Sequence, residues 1–316
     1  MRSPELLTPW LNPELPWQQG VVDRLASLGH QEKLPHALLL TGAKGLGKTQ
    51  LAATLAAGLL CKEPTFNPCG SCEACRLVGG GAHGDFRWIA PDEGKRAIGV
   101  DAIRAVVSFM QQTPAYGSHK LLVIEPAEAM TPAAANALLK TLEEPPGQAL
   151  LILVSHRPGE LPATVRSRCQ RFTLPNPTRS ATVTWLVERT ACSAEVAEQA
   201  YLLAQAQPLT AERLIQNEEL RLKGALIDAL GELLDGGKAA SEVLAALNGY
   251  DLDVILEAAL LSVEQRLYNP VGAPDSKVNF YRRDKILQWL VANRKGINFG
   301  RDMILPELGR LLATEI

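Results

Sequence analysis

Gly42-Ala43-Lys44-Gly45-Leu46-Gly47-Lys48-Thr49 has the spacing G-x-x-x-x-G-K-T, and each residue type in it suits a phosphate chain. Gly42, Gly45 and Gly47 let the backbone curl so that successive N–H groups converge on phosphate oxygens. A helix that starts at this point adds the positive end of its dipole. Lys48 would reach the β- and γ-phosphates, and the Thr49 hydroxyl would enter the shell of a Mg²⁺ ion. A hydrolase of this kind also needs a carboxylate behind a second apolar strand to complete the metal shell. Beside that carboxylate it needs an acid that orients water. The apolar run at 120–124 is followed by Glu125-Pro126. Glu125 can complete the shell, although it is one methylene longer than Asp. Pro126 can neither take a proton nor position a water, and Glu128 has no reason in the sequence to face the site. These residues predict binding of ATP and Mg²⁺ without hydrolysis.

Four of the six cysteines, Cys61, Cys69, Cys72 and Cys75, crowd into one short segment, while Cys169 and Cys192 stand alone. Tetrahedral zinc takes four thiolates at about 2.3 Å, and Cys-x₂-Cys spacing lets one turn present two of them. Pro68 and Gly70 supply the turn chemistry. An iron–sulfur run of the bacterial ferredoxin type wants Cys-Pro four residues after Cys75, where Gly79-Gly80 stands. A redox pair of Cys72 and Cys75 leaves Cys61 unexplained. Structural zinc is therefore expected, with disulfide and iron–sulfur chemistry as the competing readings. Four cysteine ligands leave no open position on the metal, so the zinc is not expected to be catalytic.

These groups need a scaffold, and the chain can build one. It has 316 residues, 47% of them apolar and 21% charged, which suits two or three globular domains. The net charge of −2 argues against a stand-alone nucleic-acid binder. Lys62 and Arg76 are too few around the cysteines to make that segment a DNA-binding module. The longest strongly apolar run, 149–154, is far short of the roughly 20 residues of a membrane span. The first ten residues, MRSPELLTPW, offer no apolar stretch of the kind a signal peptide carries. Membrane and secreted readings are excluded on these grounds, and a cytoplasmic protein is expected.

Residues 36–41, 86–90, 120–124 and 149–154 read as short strands without polar alternation, as expected where helices cover both faces of a sheet. Helices are predicted over 48–60 and 101–112, and over a segment that opens with Thr131 as N-cap and Pro132 at its first position. That last helix must stop before Pro145-Pro146. Strands alternating with helices imply an α/β fold with a mostly parallel sheet. After Pro175 only helices are expected. Three short ones lie at 180–190, 193–205 and 210–216; longer ones follow from about 220, with breaks at 235–237, 248–249 and 269–276.

HALLLTGAKGLGKT, the four-cysteine insertion, NALLKTLEEPP at 136–146 and VRSRCQRF at 165–172 together resemble the bacterial clamp-loader subunits of DNA polymerase III, members of the AAA+ superfamily. The resemblance is dense over 34–174 and weak beyond. It implies an AAA+ nucleotide-binding domain over 1–175 with the cysteine module 61–75 inserted, a helical lid over 176–217 and a helical collar over 218–316. The collar would join a ring with gamma/tau and delta subunits that opens the sliding clamp on primed DNA. Motor subunits of that family carry Asp-Glu where Glu125-Pro126 stands and Thr-Thr where Ser155-His156 stands. They also carry Gly-Ser-x-Arg in the lid, where this chain reads Gln207-Pro208-Leu209-Thr210 with Arg213 nearby and out of pattern. These departures imply a non-motor member of the ring. The Ser-Arg-Cys motif then gives Arg168 a role that composition does not, as an arginine finger in the ATP site of a neighbouring subunit, just past the final strand at 149–154. A fixed guanidinium there would neutralise charge building on the γ-phosphate. Without the resemblance Arg168 is an ordinary surface arginine beside Arg166 and Arg171, and His156 reads as a capped loop histidine. The competing function is an active ATPase of gamma/tau type that uses Lys48, Thr49 and Glu125 in its own site.

Overall fold

The computed structural model describes residues 15–63, 68–116, 119–217, 219–268, 276–294 and 300–313, so the opening segment MRSPELLTPW and most of the 269–276 break lie outside them. The chain divides into two compact units, Met1–Ala181 and Thr182–Ile316.

Five strands form the sheet of the first unit: β1 (Ala37–Thr41), β2 (Phe86–Ile89), β3 (Lys120–Ile124), β4 (Ala149–Ser155) and β5 (Gln170–Thr173). They lie in the order β2-β3-β4-β1-β5, and every pairing is parallel. Helix α1 (Gln19–His30) precedes the sheet, and α2 (Lys48–Leu60) with α3 (Glu73–Gly79) links β1 to β2. Then α4 (Val100–Met110), α5 (Pro132–Glu143) and α6 (Ala163–Arg166) make the remaining crossovers in turn. β1, β3 and β4 are buried at every residue. Ile103, Val106, Leu138 and Leu142 of α4 and α5 meet Leu39 and Leu151 on one face. Leu38, Leu40, Ile152 and Val154, which alternate with that set, are also fully buried, so the second face is covered too.

Helix α5 starts and stops for local reasons. Thr131 Oγ1 accepts the Ala134 N–H at 3.2 Å, Pro132 occupies the first helical position, and the helix ends ahead of Pro145-Pro146. The sheet, by contrast, is larger than the sequence implied. β5 is a fifth strand, paired with β1 from Leu38↔Gln170 to Thr41↔Thr173. It lies at the sheet edge, and only Phe172 in it is buried, so it has no apolar run to announce it. The Ser167-Arg168-Cys169 motif therefore lies between β4 and β5, in the turn from α6, and not past the final strand. Helix α1 was also not expected, although Val21, Val22, Leu25 and Leu28 have helical spacing.

From α7 (Arg179–Thr190) onward the described residues are helical, and almost all of them belong to the second unit. The three short helices are α7, α8 (Ala194–Leu203) and α9 (Pro208–Gln216). The longer part comprises α10 (Glu219–Leu234), α11 (Ala240–Ala246), α12 (Leu252–Tyr268), α13 (Ser276–Arg294) and α14 (Arg301–Ala313). α10 packs against α8 and α9 as well as α12 and α14, so short and long helices share one unit. Near helix ends, where carbonyls run short of backbone donors, three arginines add hydrogen bonds from their side chains. Arg266 donates to Gly231 O at 2.8 Å, buried Arg282 to Leu311 O and Leu312 O at 3.0 and 3.1 Å, and Arg301 to Leu247 O at 2.8 Å. Among the described residues no helix is long and apolar enough to cross a membrane.

Leu39 lies in the middle of the strand that carries the phosphate loop and is fully buried. Leu39→Ala is expected to cost the first unit about 2–5 kcal/mol, read as a lowered denaturant midpoint. A cost below about 1 kcal/mol would contradict this placement of the core.

Candidate functional site

Parallel strands end on the same side of a sheet, and in open sheets of this kind the ligand crevice lies beyond those ends, where the crossovers change direction. Here that point is β1, flanked by β4 and β5. The loop after β1 holds Gly42, Gly45 and Gly47 at φ +142°, +78° and +80°. A Cβ on Gly42 would meet the Leu174 carbonyl at 3.1 Å and Leu46 Cδ1 at 3.2 Å, so a side chain there is excluded by space as well as by backbone angle. Lys48 opens α2 without a side-chain cap before it. The residue is 2% exposed, and its ammonium donates to the carbonyls of Gly42 and Ala43 at 2.8 and 2.5 Å. Burial pulls its pKa down to about 8, against the opposing pull of Glu125 and Glu128. The Thr49 hydroxyl donates to the carboxylate of buried Glu125. The structure thus brings Glu125, which follows β3, against Thr49 and Lys48 at the start of α2.

Two contributors were not foreseen. The Trp17 indole donates to Leu46 O at 3.0 Å, and the Gln18 amide to Leu46 O and Gly47 O at 2.8 and 2.9 Å. These two residues strap the loop from a segment nearly thirty residues upstream, and no local pattern marks them. Glu128, for which no local pattern implies an inward turn, does turn inward. Its Oε1 accepts the N–H groups of His156 and Arg157 at 3.0 and 3.2 Å. Glu128 Oε2, Ser155 Oγ and His156 Nδ1 are buried without a hydrogen-bond partner among the described residues. His156 has its backbone N–H capped, but its ring is half-buried in the field of the loop lysines. Burial first, then Lys48, lowers its pKa to about 4.

Arg168 is not part of this loop. Its Nε donates to Glu143 Oε1 at 2.7 Å, Nη2 bonds the same oxygen, and Nη1 donates to Thr164 O at 2.9 Å and approaches Ser167 Oγ at 3.5 Å. The side chain is 34% exposed. In the second unit, Gln207 and Pro208 start α9, and Arg213 pairs loosely with Glu219 at 3.9 Å.

The cysteines converge. Cys61 ends α2, Cys72 caps α3 and Cys75 lies within α3. All four are free thiols whose sulfurs lie within 4.8 Å of one another, with Cys61–Cys72 at 3.8 Å and Cys69–Cys75 at 4.0 Å. A zinc tetrahedron with bonds of about 2.3 Å needs sulfur separations of about 3.8 Å, so the set fits a metal ion of that kind. The Cys72 N–H, followed by Ser71, lowers the Cys69 pKa to about 6, whereas burial raises that of Cys75 to about 12. A bound cation would hold both as thiolates.

Comparison with known proteins places these features in context. The profile of a family described as "DNA polymerase III, delta subunit" matches residues 17–178. The chain is 38% identical over 244 residues to the DNA polymerase III subunit delta′ of Pseudomonas aeruginosa, across 77% of this chain and 74% of that protein. It is 36% identical over 241 residues to the subunit delta′ of Escherichia coli, across 76% and 70%. Similarity to the subunit tau of Escherichia coli, at 37% identity, extends over 50% of this chain and 24% of that protein.

The His156 environment yields a pH dependence with a defined sign. Its pKa falls from 6.5 to about 4 on folding. The unfolded chain takes up this proton as the pH drops through about 6.5, and the folded chain only near 4, so stability falls across that window. His156→Asn should flatten this acid limb: the variant's Tm should drop less than the wild type's between about pH 7 and pH 4.5. Identical pH slopes in the two proteins would contradict the buried, neutral histidine.

Proposed function

The chain belongs to the DNA polymerase III delta′ family, and from that premise we propose that it is a non-motor subunit of the clamp-loader complex that lends Arg168 to the ATP site of a neighbouring gamma/tau subunit. The observation that carries this reading is the contrast between two sites. The phosphate loop keeps its glycines, Lys48, Thr49 and Glu125, yet Pro126 stands where water must be oriented. Arg168 is partly exposed and bonds outside that loop. Nucleotide and Mg²⁺ would then be held without turnover, and the catalytic contribution would be made in trans. A guanidinium fixed against the γ-phosphate stabilises charge that develops only in the transition state. The three short helices would act as a lid over 176–217 and the remainder as a collar over 218–316 that joins gamma/tau and delta. The ring so formed loads the sliding clamp on primed DNA in the cytoplasm.

One observation favours the alternative, an ATPase acting in its own site. Glu128 is held in place by two backbone N–H groups, keeps one buried oxygen without a partner among the described residues, and lies close enough to Lys48 to raise its pKa. Steady-state ATPase separates the readings. The isolated chain is expected to turn over ATP negligibly. In rings rebuilt with gamma/tau and delta, Arg168→Ala should remove most hydrolysis at the one site it serves, by analogy with fingers worth about 10³–10⁵ in rate. Total turnover should then fall in part and clamp loading more steeply. A robust ATPase from the lone chain, or unchanged rings with Arg168→Ala, would overturn the proposal.

For the cysteine cluster we propose structural zinc, bound by Cys61, Cys69, Cys72 and Cys75, which pins the end of α2 to the start of α3. Purified protein should contain one zinc per chain and lose it on Cys72→Ser. The variant should stay folded, because the site ties a loop onto an existing core. Elemental analysis that finds iron, or no metal, would contradict the assignment.

A further inference from the structure

A guanidinium has three hydrogen-bonding edges, and in Arg168 this chain itself occupies two of them. Nε and Nη2 share one side edge, and both bond Glu143 Oε1. Nη1, the terminal nitrogen outside that side edge, donates to Thr164 O at 2.9 Å. Beyond those bonds, the terminal nitrogens have one further hydrogen-bond partner among the described residues, Ser167 Oγ at 3.5 Å from Nη1, which leaves the end edge for an outside acceptor. Two parallel N–H groups on one edge match two oxygens of a phosphate.

Glu143 is placed for this by the fold. It is the last residue of α5, which Pro145-Pro146 ends, and α5 packs against α6, the short helix that leads into Arg168. Its side chain is 49% exposed. An ion pair in such contact with water adds little to stability. What it does restrict is orientation: a free arginine samples many rotamers, and a group that must meet a transition state in another subunit loses rate when it is not held in line.

We propose that Glu143 is a positioning residue, clamping the side edge of Arg168 so that its end edge is presented outward to a phosphate of a neighbouring subunit. The inference rests on the reading of Arg168 as a finger. The second clamp, Thr164 O, is backbone and fixes the turn; Glu143 alone among the clamps can be removed by substitution.

The test uses rings rebuilt from the full chain with gamma/tau and delta, measuring DNA-stimulated ATPase as kcat and KM. The difference between wild type and Arg168→Ala defines the Arg168-dependent share. Glu143→Ala should lower the kcat of that share on the order of 10-fold with little change in KM for ATP. Glu143→Gln, whose amide oxygen still accepts from Nε and Nη2, should restore most of it. Combined with Arg168→Ala, Glu143→Ala should cause no further loss, and all variants should melt as the wild type does. An undiminished or increased share with Glu143→Ala would overturn the proposal while leaving the finger intact. An equal loss in the Arg168→Ala background would do the same, since it reports a structural role. A wild-type rate with Arg168→Ala alone would overturn the finger reading, and the proposal with it.

Discussion

The parallel pairing of β1 between β4 and β5 is the constraint on which the first unit depends. Thr41 faces Ser155 across one interface and Thr173 across the other, where the two threonine hydroxyls are 2.9 Å apart. Because all strands run the same way, the loops after β1, β3 and β4 emerge at one end of the sheet. Lys48, Glu125 and His156 come from segments far apart in sequence, yet they share one electrostatic neighbourhood. A shift of β1 by one residue would turn its side chains to the opposite face and misplace the loop with it.

What was legible in the sequence is what local chemistry decides. Gly47-Lys48-Thr49 marks both the loop and the start of α2. Thr131-Pro132 marks the start of α5, and four cysteines in one loop can meet whatever the rest of the chain does. What was not legible depends on sheet order. Glu128 turns inward to N–H groups 28 and 29 residues later, and Gln18 reaches carbonyls 28 and 29 residues later. Such partners are invisible until β3 and β4, or α1 and the loop, are known to be neighbours. β5 escaped notice because an edge strand needs only one buried side chain, Phe172, to hold its place. The pairing of Glu143 with Arg168 spans 25 residues and two helices. Its two halves, LEEPP and Ser-Arg-Cys, are each conspicuous, but nothing in either names the other.

Under the proposed function, the phosphate loop and the arginine would divide the labour within one domain. A buried cation among carboxylates, with Pro126 closing the place of a water-orienting acid, suits holding a phosphate chain. A half-exposed guanidinium held on two edges suits giving charge to a phosphate elsewhere. With zinc bound as proposed, the cysteine cluster would tie α2, the helix that begins at Lys48, to the segment after it.

The central claim is that this chain serves its neighbour's site and not its own. It is tested most directly in rings whose gamma/tau copies have the lysine that corresponds to Lys48 replaced, while Lys48 of this chain stays intact. Single-turnover hydrolysis of radiolabelled ATP in that ring should not rise above the background without protein, whereas a ring of unaltered gamma/tau with Lys48→Ala should hydrolyse at the wild-type rate. Product formation in the first ring that depends on Glu128 would contradict the account and make the chain an ATPase in its own right.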